Sequence, residues 1–465
     1  MTEATAVNGT AAYHLVGIGG SGMSAIARLL LARGSTVTGS DERPSGLLDE
    51  LVREGAGVAI GHHAANVGAA GTLVVSTAIR PDNPEYVEAQ RRGIPIVTRG
   101  EMLARIIGPM PTIAVAGTHG KTTTTAMIAT IFEQAGLDPS VAVGGLRVDS
   151  GSNARSGAGR WFVTESDESD GSFLRLSPSI AVITNIENDH IASDADLPRL
   201  IDQFAAFLAK VPPDGTAVIG VDNPRSAALA ERTGGRVATF ATGRGADVQA
   251  VGLAFAALGS RFTLVERGVE QGTVTLRVPG VINVQNALAA LAVARAADIA
   301  FDRAAAALAT FRGVRRRFEI VGRSAALTVV DDYAHHPTAV AQTIAAARQL
   351  GAGPLIVAFQ PHRYTRTAYL AADFAHALRG ADAVYLTPVY AAAEAPLPGV
   401  SERLIGEPLA AAGVAVTYAE VDELEPLIRA AAPAGALVLM LGAGSISAAA
   451  HRFGAAIDAS PVALH

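Results

Sequence analysis

The chain has 465 residues, a formal net charge of −6 and an apolar content of 49%, which suits about three domains with ordinary cores. We expect no nucleic-acid partner, because nothing in this charge balance indicates a basic binding surface. The absence of cysteine excludes disulfides and thiolate metal sites and is typical of a cytoplasmic protein. Residues 1–12 lack the pattern of a secretory signal and no apolar run reaches membrane-spanning length, so we expect no membrane partner.

A glycine-rich turn follows the first apolar segment. Tyr13–Ile18 predicts a buried strand, Gly17–Gly22 has the pattern GxGxxG, and Met23–Arg33 predicts a helix. A second strand, Thr36–Gly39, leads to Asp41. This layout predicts a Rossmann-like half whose turn holds a diphosphate, but it does not distinguish NAD, FAD and UDP-sugars. A glycine turn that serves only tight helix packing is the alternative.

The rest of this first region carries weaker signals. Thr72–Thr77 predicts a strand that ends near Ser76, whose hydroxyl group would suit a phosphate, although a plain strand end explains it equally well. His62 and His63 lie in a predicted loop and are most simply surface histidines. The segment Gly108–Pro111 is a candidate linker.

A second glycine turn begins the next region. The stretch TIAVAGTHGKTT at 112–123 predicts a buried strand, then a turn bounded by Gly117 and Gly120, then a helix that Lys121 and Thr122 open. Backbone N–H groups at such a turn bind phosphate, lysine reaches the β- and γ-phosphates, and the threonine hydroxyl binds Mg²⁺. The full Walker A motif would need glycine where Val115 stands. An ordinary strand–turn–helix junction is the alternative.

Polar residues follow two later strands. The predicted strand Arg160–Thr164 leads to Glu165, and Ile180–Thr184 leads to a segment that contains His190. We expect these to be adjacent strands that end near the phosphate loop, where oxygen ligands suit Mg²⁺. Taken alone, His190 is better explained as a structural histidine.

Three more features complete the chain. Residues 245–280 alternate polar and apolar side chains and predict an antiparallel appendage, after which Asn283 and Asn286 begin a helix as caps or as adenine contacts. The arginines at 315–317 suit either a hinge or a phosphate clamp. A predicted strand then leads to His335 and His336, for which we favour hydrogen bonding over metal ligation. Another leads to residues 360–367, whose imidazole and guanidinium groups suit an anionic substrate. Repeated strand–helix units predict an α/β fold throughout.

These motifs resemble those of the Mur ligases over nearly the whole chain. The resemblance rests on His14–Ser24, Ser76–Ile79, Ala116–Thr123, Glu165–Asp170, Asp331–Pro337 and Phe359–Thr367, of which the last two are the most specific. It implies an α/β protein with three domains: an N-terminal Rossmann-like UDP-sugar-binding domain at 1–108, a central P-loop ATPase-type parallel sheet with an antiparallel appendage at 109–314, and a C-terminal Rossmann-like amino-acid-binding domain at 315–465.

The resemblance also implies an activity. Such an enzyme would join L-alanine to the carboxylate of UDP-N-acetylmuramate through an acyl phosphate, using ATP and Mg²⁺, during the synthesis of peptidoglycan precursors. We expect a cytoplasmic monomer or weak homodimer. Because the parts lie on separate domains, we expect closure around a hinge at 311–318.

By the family pattern, the site residues divide into four groups. The catalytic residues would be Lys121, His335, His362, Arg363 and Arg366. The ATP-binding residues would be Gly117, Thr118, His119, Gly120, Lys121, Thr122, Thr123, Asn283, Asn286, Arg317 and Asp332. The substrate-binding residues would be Gly17, Gly19, Gly20, Ser21, Gly22, Asp41, His62, Ser76, Asn153 and Tyr333. The metal ligands would be Thr122, Glu165 and His190.

Two positions depart from that pattern, and three rival functions stay open. Ile282 stands where the family usually has histidine, and the stretch from His190 to Asp194 lacks the usual His-x-Asp. One rival is a ligase that joins a murein peptide to UDP-N-acetylmuramate. Another is an NAD-dependent oxidoreductase, which leaves the turn Gly117–Thr122 unexplained. The third is a nucleotide-binding regulator without catalysis.

Overall fold

The computed structural model describes residues 11–168, 171–187, 197–256, 259–351, 353–392 and 394–458, which form two compact units. The first unit contains the described residues up to Val251 together with Thr263–Val274 and Gln285–Thr310. The second contains Gly252–Phe262, Thr275–Val284 and the described residues from Phe311 onward. The division into three domains after residues 108 and 314 stays a prediction.

A five-stranded parallel sheet begins the first unit. Its strands are β1 (Ala12–Val16), β2 (Thr36–Asp41), β3 (Gly57–Ile60), β4 (Thr72–Val75) and β5 (Ile96–Thr98), and its helices are α1 (Ser21–Ala32), α2 (Gly46–Arg53), α3 (Pro84–Arg91) and α4 (Arg99–Ile107). The strand order is β3-β2-β1-β4-β5, and every neighbouring pair is parallel. The order reverses at β1, so the turn after β1 lies where open parallel sheets bind ligands.

Helix α1 begins at Ser21, earlier than the predicted Met23. The reason is that Gly20 serves as the N-cap and its carbonyl accepts the first helical bond, from the Ser24 N–H at 2.8 Å. The glycine turn therefore runs directly into the helix.

A ten-stranded sheet follows. Its strands are β6 (Thr112–Ala116), β7 (Ser140–Ala142), β8 (Ala154–Arg155), β9 (Phe162–Glu165), β10 (Ile180–Ile183), β11 (Thr216–Gly220), β12 (Arg236–Ala241), β13 (Val248–Ala256), β14 (Gly259–Glu266) and β15 (Val269–Leu276). The accompanying helices are α5 (Lys121–Gln134), α6 (Leu197–Leu208), α7 (Pro224–Arg232), α8 (Val281–Ala296) and α9 (Phe301–Thr310). The strand order is β15-β14-β13-β12-β11-β10-β6-β9-β7-β8.

Strand β6 lies between β9 and β10, so the prediction that those two strands are adjacent was wrong. Both pair with β6 in parallel, with Val115 opposite Glu165 and Ala116 opposite Ile183. The crossovers place β9 and β10 on opposite sides of β6. The carboxyl ends of all three strands consequently meet at one edge of the sheet, where α5 begins.

The appendage predicted at 245–280 corresponds to β13, β14 and β15. Arg267 and Gly268 connect β14 to β15, and both have positive φ, at 48° and 81°. Two residues with positive φ form the type I′ turn of a hairpin, and a connection this short joins antiparallel strands.

The second unit contains a six-stranded sheet. Its strands are β16 (Glu319–Arg323), β17 (Leu327–Asp332), β18 (Leu355–Phe359), β19 (Ala383–Leu386), β20 (Ala415–Tyr418) and β21 (Ala436–Leu441), and its helices are α10 (Pro337–Gln349), α11 (Tyr364–Leu378), α12 (Arg403–Ala411), α13 (Leu424–Ala431) and α14 (Ile446–Asp458). The order is β16-β17-β21-β18-β19-β20, and only the pair β16–β17 is antiparallel among the pairs described.

The carboxyl ends of β17, β21 and β18 lie at the same level. Leu441 on β21 is opposite both Asp332 on β17 and Phe359 on β18. The residues that follow these strands therefore share one edge of the sheet. The α/β organisation predicted from the sequence is confirmed in both units, and among the described residues no helix combines the length and apolar character needed to cross a bilayer.

Candidate active site

The phosphate loop, defined here as Gly117–Gly120, joins β6 to α5 and has a backbone that requires glycine at both ends. Gly117 has φ of 120° and Gly120 has φ of 86°. A Cβ atom on Gly117 would collide with the Thr184 hydroxyl group, and one on Gly120 would collide with the Asn286 carboxamide oxygen. Both glycines are therefore required by backbone conformation and by the closeness of neighbouring groups.

The segment after β10 fixes the middle of the phosphate loop. The Thr118 N–H donates to the Asn185 carbonyl oxygen and the His119 N–H donates to the Asn185 side-chain oxygen, both at 2.9 Å. In return the Thr184 hydroxyl group donates to the His119 carbonyl oxygen at 2.7 Å. These two loop amides are thus occupied, and the N–H groups that start α5 are left to receive an anion.

Lys121 is the first residue of α5 and is held close to the loop. Its ammonium group donates to the Gly117 carbonyl oxygen at 2.6 Å and to both carboxylate oxygens of Glu168 at 2.8 and 2.9 Å. Burial disfavours the charged ammonium, but the carboxylates of Glu168 and Asp167 outweigh burial and raise the pKa of Lys121 above its ordinary value. Lys121 is therefore a positively charged group at neutral pH.

Glu165 lies at the end of β9, beside the phosphate loop. Its carboxylate packs directly on Gly144, where a Cβ atom would find no room, and its Oε2 atom is buried without a hydrogen-bond partner among the described residues. Thr122, the second residue of α5, is also buried. The carboxylate oxygen of Glu165 and the hydroxyl group of Thr122 are both oxygen donors of the kind that Mg²⁺ prefers. His190, the third predicted ligand, lies outside the described residues.

The two predicted adenine contacts have different surroundings. Asn286 in the first unit accepts a hydrogen bond from the Thr124 hydroxyl group at 3.1 Å, so it is tied to α5. Asn283 in the second unit donates its amide to the Pro279 carbonyl oxygen at 2.7 Å. Both side chains are buried, and at these positions the carboxamides already serve the protein itself.

The glycine turn after β1 is closed by Asp41. Gly17 has φ of 78°, and the Gly19 N–H donates to the Asp41 carboxylate at 2.9 Å. The Gly17 and Ile18 N–H groups both donate to the Ser40 carbonyl oxygen. The Arg99 side chain lies against Gly22 and forms an ion pair with Asp167 at 3.5 Å. A cation therefore stands beside the turn that the sequence assigns to a diphosphate.

Other predicted substrate-binding residues of the first unit are engaged in internal contacts. Asn153 is buried; it accepts from Arg28 at 2.6 Å and donates to the Ser21 carbonyl oxygen and the Ser24 hydroxyl group at 2.6 and 2.9 Å. His62 contacts the Ser40 hydroxyl group through Nδ1 at 2.9 Å. Their substrate-binding roles, like that of the partly exposed Ser76, stay predictions.

The strand-end cluster of the second unit consists of Asp332, Tyr333, His335, His362, Arg363 and Tyr390. Contacts between rings connect four of these side chains. The ring centroid of His335 lies 4.7 Å from that of Tyr333 and 5.8 Å from that of His362. The ring of Tyr390 stacks on that of His362 with a centroid distance of 5.6 Å. The guanidinium groups of Arg316 and Arg317 lie over Tyr333 at 4.8 and 4.9 Å. Imidazole, phenol and guanidinium groups thus meet at one edge of the sheet.

Two side chains of this cluster have shifted pKa values. Burial, reinforced by the positive charges of Arg366 and Arg363, lowers the pKa of His362 to about 4, so its imidazole is neutral at physiological pH. Its Nδ1 atom is buried without a hydrogen-bond partner among the described residues. Burial raises the pKa of Asp332 to about 6 even though Arg317 and the N–H groups of Phe318 and Ala334 oppose the shift.

Sequence reasoning missed several residues at these two places. Glu168 was interpreted only as part of a charged loop, and Arg99 and Tyr390 belong to no motif found in the sequence. Tyr390 reaches His362 through a backbone bridge, in which the Arg363 N–H donates to the Tyr390 carbonyl oxygen and the Tyr390 N–H donates to that of Pro361, both at 2.8 Å. Arg363 has φ of 68°, which is rare for a residue other than glycine. Neither feature can be predicted from a local sequence pattern.

Profiles of known families match most of the chain. The profile described as "Mur ligase family, catalytic domain" matches residues 12–109, "Mur ligase middle domain" matches 115–294, and "Mur ligase, glutamate ligase domain" matches 316–444. Two similar proteins are named UDP-N-acetylmuramate–L-alanine ligase. That of Dinoroseobacter shibae is 46% identical over 94% of this chain and 96% of its own length. That of Acidithiobacillus ferrooxidans is 46% identical over 95% and 96%.

Solved structures give the same picture. The UDP-N-acetylmuramate-alanine ligase MurC from Thermotoga maritima superposes with a TM-score of 0.83 at 29% identity, covering 95% of this chain and 97% of its own. A murein peptide ligase from Psychrobacter arcticus superposes with a TM-score of 0.71 at 25% identity, covering 97% and 99%.

Proposed function

The chain belongs to the Mur ligase family, and we propose that it joins L-alanine to the carboxylate of UDP-N-acetylmuramate in the synthesis of peptidoglycan precursors, with cleavage of ATP to ADP and phosphate. One observation carries the proposal: a glycine-bounded phosphate loop with Lys121 lies in a chain that is 46% identical, over 94% of its length, to a ligase of that name. Membership of this family supports ATP use, and the names of the relatives support the two substrates.

We assign the triphosphate to the phosphate loop and the start of α5. The N–H groups of the first turn of α5 have no intrahelical partner and favour an anion, and Lys121 adds a full positive charge. We assign Mg²⁺ to Thr122 and Glu165, whose buried oxygens fit it. When bound there, the ion would offset negative charge on the phosphoryl group being transferred.

The reaction we propose has two steps. A carboxylate is a poor electrophile, so one of its oxygens first attacks the γ-phosphorus of ATP, ADP leaves, and an acyl phosphate forms. The uncharged amine of L-alanine then attacks the acyl carbon, phosphate leaves with the bonding electrons, and the amine nitrogen loses a proton. No covalent bond to the enzyme is needed.

We assign the amino-acid end of the reaction to the strand-end cluster. The Nδ1 atom of the neutral His362 imidazole has no hydrogen-bond partner among the described residues, and in the tautomer protonated at Nε2 it can accept a hydrogen bond from an amine. Arg363 and Arg366 provide positive charge for the oxyanion that forms when the amine attacks. The role of each residue is a proposal that the geometry supports.

The test is ADP release with UDP-N-acetylmuramate and a panel of acceptors. We expect release only when ATP, the sugar nucleotide and an acceptor are all present, with L-alanine preferred over glycine, L-serine and a murein tripeptide. Release with the tripeptide but not with L-alanine would instead favour the murein peptide ligase activity named for the Psychrobacter arcticus protein. Nucleotide binding without any release would point to a regulator, and reduction of NAD to an oxidoreductase.

We also infer that the reaction takes place in the cytoplasm and that the protein is a monomer or weak homodimer. The cysteine-free composition supports the first inference. Sedimentation at several protein concentrations tests the second.

A further inference from the structure

The ammonium group of Lys121 has no donor to spare. It lies within hydrogen-bond distance of four oxygens: Gly117 O at 2.6 Å, Thr118 O at 3.3 Å, and the two carboxylate oxygens of Glu168 at 2.8 and 2.9 Å. A lysine ammonium has three N–H donors. A phosphate group can therefore approach Lys121 only if one of these oxygens gives way.

Glu168 is held in place from both sides. Before it, the Ser166 N–H donates to the Val115 carbonyl oxygen of β6 at 2.8 Å, and Asp167 pairs with Arg99. After it, the Gly171 N–H donates to the Glu168 carbonyl oxygen at 3.2 Å. The Glu168 side chain is only 1% exposed. The backbone thus delivers a buried carboxylate to Lys121, so the contact is built into the fold and is not a chance surface pair.

Glu168 and a nucleotide phosphate are both anions that need the same cation. Two like charges a few ångströms apart in a poorly solvated site repel each other strongly, so they cannot share Lys121 at low cost. The two carbonyl oxygens belong to the loop itself and are uncharged. Glu168 is consequently the partner that an arriving phosphate displaces.

We propose that Glu168 is a built-in counter-anion of Lys121 that ATP must displace, so that this pair sets the nucleotide affinity of the enzyme. The inference rests on the assignment of ATP to the phosphate loop. In the nucleotide-free protein Glu168 neutralises Lys121. On binding, Lys121 exchanges Glu168 for phosphate, and the carboxylate loses a partner in a buried place, which makes binding weaker than the loop alone would give.

Glu168→Gln tests this in the full-length protein by titration with MgATP. Removing the charge removes the competitor, so we expect ATP to bind at least about tenfold more tightly than to wild type, the equivalent of losing one charge-assisted contact of Lys121. Glu168→Asp keeps the charge and should bind ATP with an affinity close to that of wild type. The melting temperature without nucleotide should fall in Glu168→Gln, and the rise that ATP produces should be larger than in wild type.

Glu133→Gln is the matched control. Glu133 lies near the opposite end of the same helix, α5, and forms an ion pair with Arg147 at 2.6 Å. Its replacement therefore breaks an ion pair without touching Lys121. We expect a lower melting temperature but an unchanged ATP affinity. An ATP affinity in Glu168→Gln equal to or weaker than that of wild type would overturn the proposal, because Glu168 would then only position Lys121. If wild type bound no ATP, the proposed function itself would fall.

Discussion

The phosphate loop of the first unit is held by its backbone, whereas the strand-end cluster of the second unit is held by side chains. The loop depends on two glycines with positive φ and on hydrogen bonds from its main-chain N–H groups to the carbonyl and side-chain oxygens of Asn185. The cluster depends on stacked rings, on buried charge and on Arg363 in a conformation that favours glycine. A site fixed by the backbone should fail abruptly when one atom is added, while a site fixed by packed side chains should decline in steps.

The largest effect we expect is on the loop side, from Lys121→Ala. Loss of its charge should lower the rate of ADP release by about 10³-fold or more, because phosphoryl transfer depends on positive charge at the transferring group. Binding of the sugar nucleotide should survive. Lys210→Ala, in the exposed turn after α6, is the control and should keep full activity. Loss of sugar-nucleotide binding together with ADP release would count against separate sites.

Replacing the glycines at the two ends of α5 tests whether the phosphate loop tolerates an added atom. Gly120 and Gly136 both have positive φ, at 86° and 74°, but within the described part of the chain only a Cβ atom on Gly120 meets another group, the Asn286 carboxamide. Alanine at either position should cost about 1 kcal/mol of stability through backbone strain. Only Gly120→Ala should also lower kcat, on the order of 10²-fold, because the loop must shift. Equal kcat values for the two variants would show that the collision is harmless.

The pH dependence of stability tests the strand-end cluster, the other side of the comparison. The pKa of His362 is lowered to about 4 in the folded protein, so between about pH 6.5 and 4 the unfolded chain takes up a proton that the folded one does not. Its contribution to stability is present above pH 6.5 and is lost as the pH falls. Partial exposure of the ring limits the loss to about 2 kcal/mol.

Denaturant unfolding at pH 7 and pH 4.5 measures this effect. His362→Gln should lose less stability on acidification than wild type, whereas His376→Gln, an exposed position on α11, should behave as wild type does. Asp332 acts with the opposite sign, because its pKa is raised to about 6 and the folded protein takes up its proton first. Asp332→Asn should therefore lose more stability than wild type between these pH values. Parallel pH profiles for all four proteins would contradict both assignments.

The smallest effect we expect is from Tyr390, which stacks on His362. Tyr390→Phe keeps the ring and should leave the KM for L-alanine unchanged. Tyr390→Ala removes a stacking contact worth about 0.5–1.5 kcal/mol, so that KM should rise by up to about tenfold. Steady-state ADP release at varied L-alanine gives both values. An unchanged KM in Tyr390→Ala would show that the stack does not contribute to substrate binding.

The parts of the molecule that sequence reasoning located correctly are those encoded by neighbouring residues. Helix α5 begins at the predicted Lys121, directly after the turn bounded by Gly117 and Gly120, and the strand predicted at Ile180–Thr184 is observed as β10, Ile180–Ile183. Each is a buried apolar run or a turn with its own local signal. The antiparallel edge strand β16 was not predicted, because its direction depends on pairing with β17.

The remaining features depend on contacts between distant parts of the chain. Glu168 is part of an acidic stretch in the sequence, and only the return of that stretch to β6 shows which carboxylate reaches Lys121. Tyr390 comes from the segment after β19 to stack on His362. A positive φ at Arg363 is invisible to any residue pattern. The roles of the individual site residues stay predictions until variants are measured.

The chain contains only two lysines, Lys121 and Lys210, one enclosed by oxygens and the other in water. Protein grown on isotope-labelled lysine would therefore show two ε-methylene resonances in an NMR spectrum. The Lys210 signal is an internal reference, and the other reports on the surroundings of the Lys121 ammonium group throughout a nucleotide titration. A molecule of this size ordinarily gives crowded spectra, but here the arginine-rich composition leaves the one informative signal resolved.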